Sequence, residues 1–332
     1  MIRFFKVALC FGFFLSSTIH AQELTWKTGF HGFFDNREYF NDYAQPQSIL
    51  GARTFAEGGF RIDQYSAFGL GIDYMYEFGS KPQGNTISPI LYYNYKSTYT
   101  ELYMGAFERY NVMQMPLIHQ NDTFNYYKPT IEGIYLKFNN SWGSMEGWLD
   151  WTSRQTMTER ETFLVGVTGK AKFLGNFYTR YDFLLYHYAG TASEQEKDIR
   201  DNGGLTVMVG ANLSDFTPLD SLSINTGFAG SYDRLREQYD LTYTSGSLSE
   251  LYASYKLFGI RSTLYVGDGH TMLVGDPMYR APFYNRNDLI LKVLRKGKVS
   301  GSLDFSFHFI PGILDFSQKF TIYIDISGQK KF

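Results

Sequence analysis

The sequence predicts an all-β chain that folds as a transmembrane, antiparallel up-and-down β-barrel of about 16 strands, with roughly 14 to 18 as the range. Three observations predict it. Apolar and polar residues alternate with period two in stretches of about a dozen residues, roughly twice the length of an ordinary soluble strand. Connections between these stretches are short after even-numbered ones and longer after many odd-numbered ones, as in a barrel with turns at one rim and loops at the other. The composition agrees: 27 Tyr and 30 Phe, only 9 Pro, and a mean hydropathy of −0.27, too polar for a bundle of membrane helices.

The first element is an address. Arg3 and Lys6 precede the apolar run Val7 to Leu15, and a small, polar tail ends in Ile19-His20-Ala21. This is the pattern of a secretory signal peptide over residues 1–21, cleaved after Ala21, and it leaves 22–332 as a single barrel domain. A membrane anchor would need ~20 apolar residues. Cleavage removes two basic residues and no acid, so the formal charge moves from −2 to −4. It also removes Cys10, the only cysteine, and with it any disulfide or thiol chemistry.

Strands are expected near 26–38, 51–63, 65–78, 86–96, 98–109, 129–139, 142–153 and 161–173, then 176–189, 202–213, 220–233, 246–257, 259–268, 286–296, 299–310 and 318–328. In the third, Phe68, Leu70, Ile72, Tyr74 and Tyr76 oppose Ala67, Gly69, Gly71, Asp73 and Glu77. In the eighth, Phe163, Val165, Val167, Ala171 and Phe173 are set against Thr168, Lys170 and Lys172. The last two repeat the division, with Leu303, Phe305, Phe307 and Phe309 on one face, then Phe320, Ile322, Ile324 and Ile326. Each such face can meet lipid only if the opposite one lines an interior.

Lys96-Ser97, Asn140-Ser141, Leu174-Gly175, Phe258 and Gly297-Lys298 read as tight turns. Tyr39 to Leu50, Tyr110 to Lys128, Gly190 to Asp201, Arg234 to Ser245 and Asp268 to Asn285 read as long loops. Aromatics flank the tight turns, as at Tyr95 and Tyr99, Phe138 and Trp142, and Phe173 and Phe177, which fits a girdle at lipid headgroups.

With these features the mature chain resembles the outer-membrane β-barrel superfamily of Gram-negative bacteria, its porin-like members in particular. The resemblance implies residence in the cell outer membrane, contact with outer-membrane lipid, and insertion by the barrel assembly machinery. It also implies that the terminal aromatic Phe332 serves as the assembly signal, although Lys330 stands where an apolar residue is more usual. A neighbouring outer-membrane protein is a further possible partner. Nucleic acid is excluded as one, because 31 basic against 33 acidic residues leave no cationic block for phosphates.

The polar phases of the strands assign a mixed-sign lining to the interior. From the first half come Arg53, Glu57, Arg61, Asp73, Glu101, Arg109, Lys137, Glu146 and Asp150. The second half adds Lys170, Lys172, Arg180, Asp182, Lys256, Arg261, Lys292, Asp304 and Asp325. A barrel of this width holds water, so the lining reads as a channel wall rather than as packed ion pairs. The stretch Tyr110 to Lys128 carries Met113, Met115, Leu117 and Ile118, too apolar for water, and the resemblance implies that this third external loop folds inward as a constriction. A cap or contact surface is the alternative. Asp268 to Asn285, with His270, Asp276, Arg280 and Tyr284, could bind a sugar or anion, but its turn-forming residues suggest a loop that ties itself together.

The resulting expectation is a porin-like channel for passive diffusion of small hydrophilic solutes, with a non-conducting structural subunit of an assembly or secretion complex as the alternative. No catalytic residue, metal ligand set or cofactor is assigned, and the chain is read as a non-enzyme. His31, His187 and His308 fall on separate strands without a recognisable partner motif, and no Gly-x-Ser-x-Gly occurs. Gly166 to Lys170 lacks the spacing and following hydroxyl of a phosphate loop. His270 and Asp276 lack a third ligand.

Overall fold

A computed structural model describes residues 23–81, 85–193 and 199–331. The signal segment and Phe332 lie outside the described residues. Sixteen antiparallel strands pair in sequence order, and β1 (Glu23–Glu38) closes on β16 (Ile313–Lys331), so no sheet edge is left. Closure is what a bilayer demands, since an unpaired backbone amide in hydrocarbon costs several kcal/mol. Between them run β2 (Gln47–Arg61), β3 (Ser66–Glu77), β4 (Thr86–Lys96), β5 (Thr100–Glu108), β6 (Thr130–Asn140), β7 (Gly143–Ser153) and β8 (Thr162–Leu174). The second half comprises β9 (Phe177–Tyr188), β10 (Arg200–Asn212), β11 (Ser221–Leu235), β12 (Tyr239–Tyr255), β13 (Phe258–Gly267), β14 (Phe283–Lys296) and β15 (Val299–Ile310).

Alternation sorts the side chains as expected. On β1, Leu24, Trp26, Phe30 and Phe34 are exposed on the outer wall while Glu23, His31 and Asp35 are buried inside. On β3, Leu70 and Ile72 face out and Asp73 and Met75 face in. The apolar band is thus on the outside, inverted relative to a soluble protein.

Two sequence expectations fail at the rims. The proposed loop Arg234 to Ser245 is mostly strand: β11 and β12 extend past the barrel body with Asp233 opposite Thr242 and Leu235 opposite Tyr239, leaving only 236–238 as the turn. The polar run there reads as loop, yet cross-strand partners rather than lipid satisfy it. Lys256, expected in the lining, instead forms the two-residue turn after β12, where φ is 53° and its ammonium sits 4.9 Å from the Tyr255 ring centroid. A tight hairpin needs a positive φ there, and that rotates the side chain out of the strand's inward phase.

The lumen is not empty. The third external loop (109–129) and the seventh (268–282) fold inside the barrel and bind each other: Asn121 N donates to the Val274 carbonyl (2.8 Å), Asp276 N to the Leu117 carbonyl (2.8 Å), and Asn121 Nδ2 to the Gly275 carbonyl (2.9 Å). Helix α1 (Asp122–Tyr127) starts from an Asn121 cap whose side chain accepts from Phe124 N. From it Tyr126 reaches Asp35, Tyr127 reaches Glu77, and Arg37 of β1 reaches back to Thr123. The seventh loop is tied to the opposite wall, where Asn202 donates to the Thr271 carbonyl and accepts from Leu273 N. Together the loops span the lumen from β1–β3 to β10–β11.

Candidate functional site

The inward lining is organised as ion pairs. Arg53 donates to Asp73 (2.6 Å) and lies 3.6 Å from Glu108, which also pairs with Lys27. Glu57 accepts from Tyr92 (2.5 Å). Lys137 meets Glu146 at 2.7 Å, Glu101 meets Lys96 at 3.1 Å, and Arg180 meets Asp182 at 2.9 Å and Glu250 at 3.2 Å. Arg109 and Asp150 form a fully buried pair, with Arg109 also donating to the Lys128 and Thr130 carbonyls. Arg61 lies 3.6 Å from Glu23 at the turn-side rim, and Lys170 stacks 3.6 Å above the Tyr178 ring. Lys172 is exposed at the same rim, Arg261 sits 5.7 Å from the Tyr252 ring centroid, and Asp304 occupies the inward phase of β15. Many charges of this wall are therefore matched within it, some across neighbouring strands and some, as in Lys27–Glu108 and Arg180–Glu250, across more distant ones.

Met113, Met115, Leu117 and Ile118 do pack inside the barrel. Met113 and Met115 join Phe107, Ile131, Tyr135, Trp148, Leu164, Leu184 and Met272, while Ile118 and Leu117 join a second cluster with Met208, Tyr265, Met278 and Tyr284. Where the two loops meet, His119 and His270 lie with ring centroids 5.3 Å apart, both buried, and among the described residues no hydrogen-bond partner reaches either ring. They rest over Gly204 of β10, where a Cβ would stand 2.6 Å from His119 Nδ1 and 2.8 Å from His270 Nε2. Burial pushes His270 down to about 4 and, with the neighbouring His270 and Arg180, holds His119 well below the ordinary histidine value. Burial by itself raises the Asp122 carboxyl, but the Lys319 ammonium 2.9 Å away outweighs it and holds the group low.

On the long-loop side the two loops leave a vestibule, a cavity of about 220 Å³. Its walls include Arg37, Arg286, Lys319, Asp276, Ser306 and Ser317. Behind Ser317 runs a relay that strand-by-strand reading missed. His308 Nε2 is 2.9 Å from Ser317 Oγ, and His308 Nδ1 is 2.7 Å from the Tyr284 hydroxyl. Ser317 is nine residues from His308 around the β15–β16 hairpin, and Tyr284 comes from β14, so only the register unites them. His31, the third lone histidine, lies 3.1 Å from Asp325 against Phe55, Tyr110 and Tyr323.

The outer wall carries a second constellation at the same rim. His187 of β9 is directly opposite Asp201 of β10, with Nδ1 3.3 Å from Asp201 Oδ1. Arg234 and Arg236 both donate to Asp201, and Phe163 stacks on the imidazole at 4.7 Å between centroids. Below lies an apolar groove of about 310 Å³ between Phe183, Leu205, Phe228, Tyr232 and Tyr243, open to the lipid side. Among the described residues no cluster of three or more His, Cys, Asp or Glu could hold a metal ion.

Solved structures share this architecture at very low identity. OccAB4 of Acinetobacter baumannii matches with 10% identity and a TM-score of 0.52 over 94% of this chain and 100% of that one. The loop L8 deletion mutant of OmpT, an outer membrane protein of Vibrio cholerae, matches with 7% identity and a TM-score of 0.57 over 92% and 100%. OpdK of Pseudomonas aeruginosa gives 9%, 0.51, 92% and 99%. The chain is thus similar in fold to β-barrels of the outer membrane. No curated protein sequence matches it. A family profile does, over residues 16–330, and it describes lipid A 3'-O-deacylase-type proteins. The expectation of a non-enzyme is overturned by that match: alternation and charge report the barrel, whereas a site assembled across strands leaves no local motif. With nearly its full length matched, the chain belongs to the lipid A 3'-O-deacylase-type family.

Proposed function

We propose that the protein hydrolyses an ester-linked acyl chain of a phosphorylated outer-leaflet lipid at the outer wall of its long-loop rim. The observation that carries this reading is the outward-facing His187–Asp201 pair on the same two strands as the lipid-facing groove at Phe183 and Leu205. A lipid substrate cannot enter the lumen, so a site for it must face the membrane, and long loops mark the external rim. In the tautomer with the proton on Nδ1, His187 donates to Asp201 and leaves Nε2 as a general base toward water. Water oxygen attacks the acyl carbonyl, its proton passes to Nε2, and the ester C–O bond breaks as the alkoxide takes that proton. General base catalysis of this kind contributes roughly 10²–10⁴-fold. Arg234 and Arg236 outnumber Asp201 and suit a phosphate group. The groove accepts the acyl chain. The family description, which names lipid A, supports the substrate class.

Mass spectrometry of lipid extracted from cells with and without the protein tests the reading. The expected result is loss of one acyl chain with the native protein and an intact lipid with His187→Gln or Asp201→Asn. Identical acyl profiles in all four samples would overturn it. A second reading, passive diffusion of small hydrophilic solutes, is favoured by the polar vestibule and the inward third loop. It predicts discrete conductance steps in planar bilayers.

A further inference from the structure

Among the described residues no hydroxyl is hydrogen-bonded to His187, while the lumen holds a serine bonded to a histidine that no lipid can reach. We propose that Ser317, His308 and Tyr284 form a separate, lumen-facing nucleophilic site for small water-soluble acyl esters that enter the vestibule from outside.

Four observations converge. Ser317 Oγ lies 2.9 Å from His308 Nε2, within reach for proton transfer. His308 Nδ1 lies 2.7 Å from the Tyr284 hydroxyl, and the edge of Tyr39 packs against the imidazole at 5.2 Å between centroids, which holds the ring in place. With the proton on Nδ1 donated to Tyr284, Nε2 is the acceptor for the serine hydroxyl. Ser317 lines a cavity that also receives Arg286, paired with Asp288 and near Asp276, and Lys319, paired with Asp122, cations that can share a developing oxyanion. Nucleophile and cations thus face one vestibule, and the base and its orienter are buried directly behind the nucleophile.

In the acylation step Ser317 Oγ bonds to the acyl carbonyl carbon and its proton moves to His308 Nε2. The tetrahedral oxyanion collapses, the bond to the alcohol oxygen breaks, and the leaving alkoxide takes the proton from Nε2. Water then repeats the sequence on the acyl-serine, releasing the acid. At ~30 Å³ per water the cavity has room for about seven waters. That space suits a short acyl ester such as an acetyl or propionyl one.

The test treats the folded full-length barrel, verified by heat-dependent electrophoretic mobility, with diisopropyl fluorophosphate and maps the adduct by mass spectrometry. Turnover of p-nitrophenyl acetate is followed in parallel in the His187→Gln background, so that the outer-wall pair does not contribute. The expected result is a single adduct on Ser317, with turnover abolished in Ser317→Ala, lowered about 100-fold or more in His308→Gln, and lowered less in Tyr284→Phe. Because the adduct is read on the native chain, a variant that fails to fold does not decide the matter. A folded native barrel with no adduct on Ser317 would overturn the proposal, as would turnover that survives in Ser317→Ala.

Discussion

Arg109 and Asp150 show what a single residue can carry in this barrel. Both side chains are about 97–98% shielded, and the pair ties the start of the third loop to the β7 wall. Replacing one partner leaves the other charge buried and uncompensated, at a cost of roughly 3–5 kcal/mol. Asp150→Ala is therefore expected to shift urea unfolding of the detergent-folded barrel markedly. Lys96→Ala, which removes the solvent-exposed partner of Glu101, should change it by less than ~1 kcal/mol. Equal shifts would mean that burial does not set the worth of these pairs. Gly204 is a second such position: an added methyl would press on both buried imidazoles and separate the two loops.

The third and seventh loops behave as one element because each satisfies backbone groups of the other. Their seam contains His119 and His270, both held below the ordinary histidine value by burial, His119 also by His270 and by Arg180, itself held by Asp182 and Glu250. A histidine depressed below its unfolded value near 6.5 stabilises the closed seam above that pH, and the contribution is lost as pH falls toward its folded value. For His270 the window is thus from about 6.5 down to about 4, and the seam should loosen on acidification. Single-channel conductance of the purified barrel is expected to rise across that window, and His119→Leu with His270→Leu should flatten the response. A pH-independent conductance in the native protein would refute the link between these histidines and the loops.

At the scale of the whole molecule, strand parity sets orientation. The turn 141–142 lies at one rim, and the turn 236–238 lies at the other with the two inward loops. Epitope tags inserted after Glu237 should be accessible on intact cells, and tags after Ser141 should become accessible only after permeabilisation. Reversed labelling would invert the barrel and move the His187–Asp201 pair to the inner leaflet, removing its proposed substrate.

The barrel was legible in the chain alone because a strand in a bilayer has its side-chain period and its length imposed by the solvent. Leu70, Ile72 and Asp73 already declare their faces without knowledge of any partner strand. The third loop was legible in part: Met113 to Ile118 are costly in water and so call for cover, but its inward direction came only from the resemblance to porins. Rim details were not: 239–245 reads as loop until β11 is placed beside it, and Lys256 reads as lining until the turn claims it. Least visible were the chemical groupings. His187 meets Asp201 across a long connection, and Ser317, His308 and Tyr284 come from three strands whose register no local pattern encodes. Periodicity determines which way a residue points, but only the paired sheet decides which residues point at one another, and a site depends on the second.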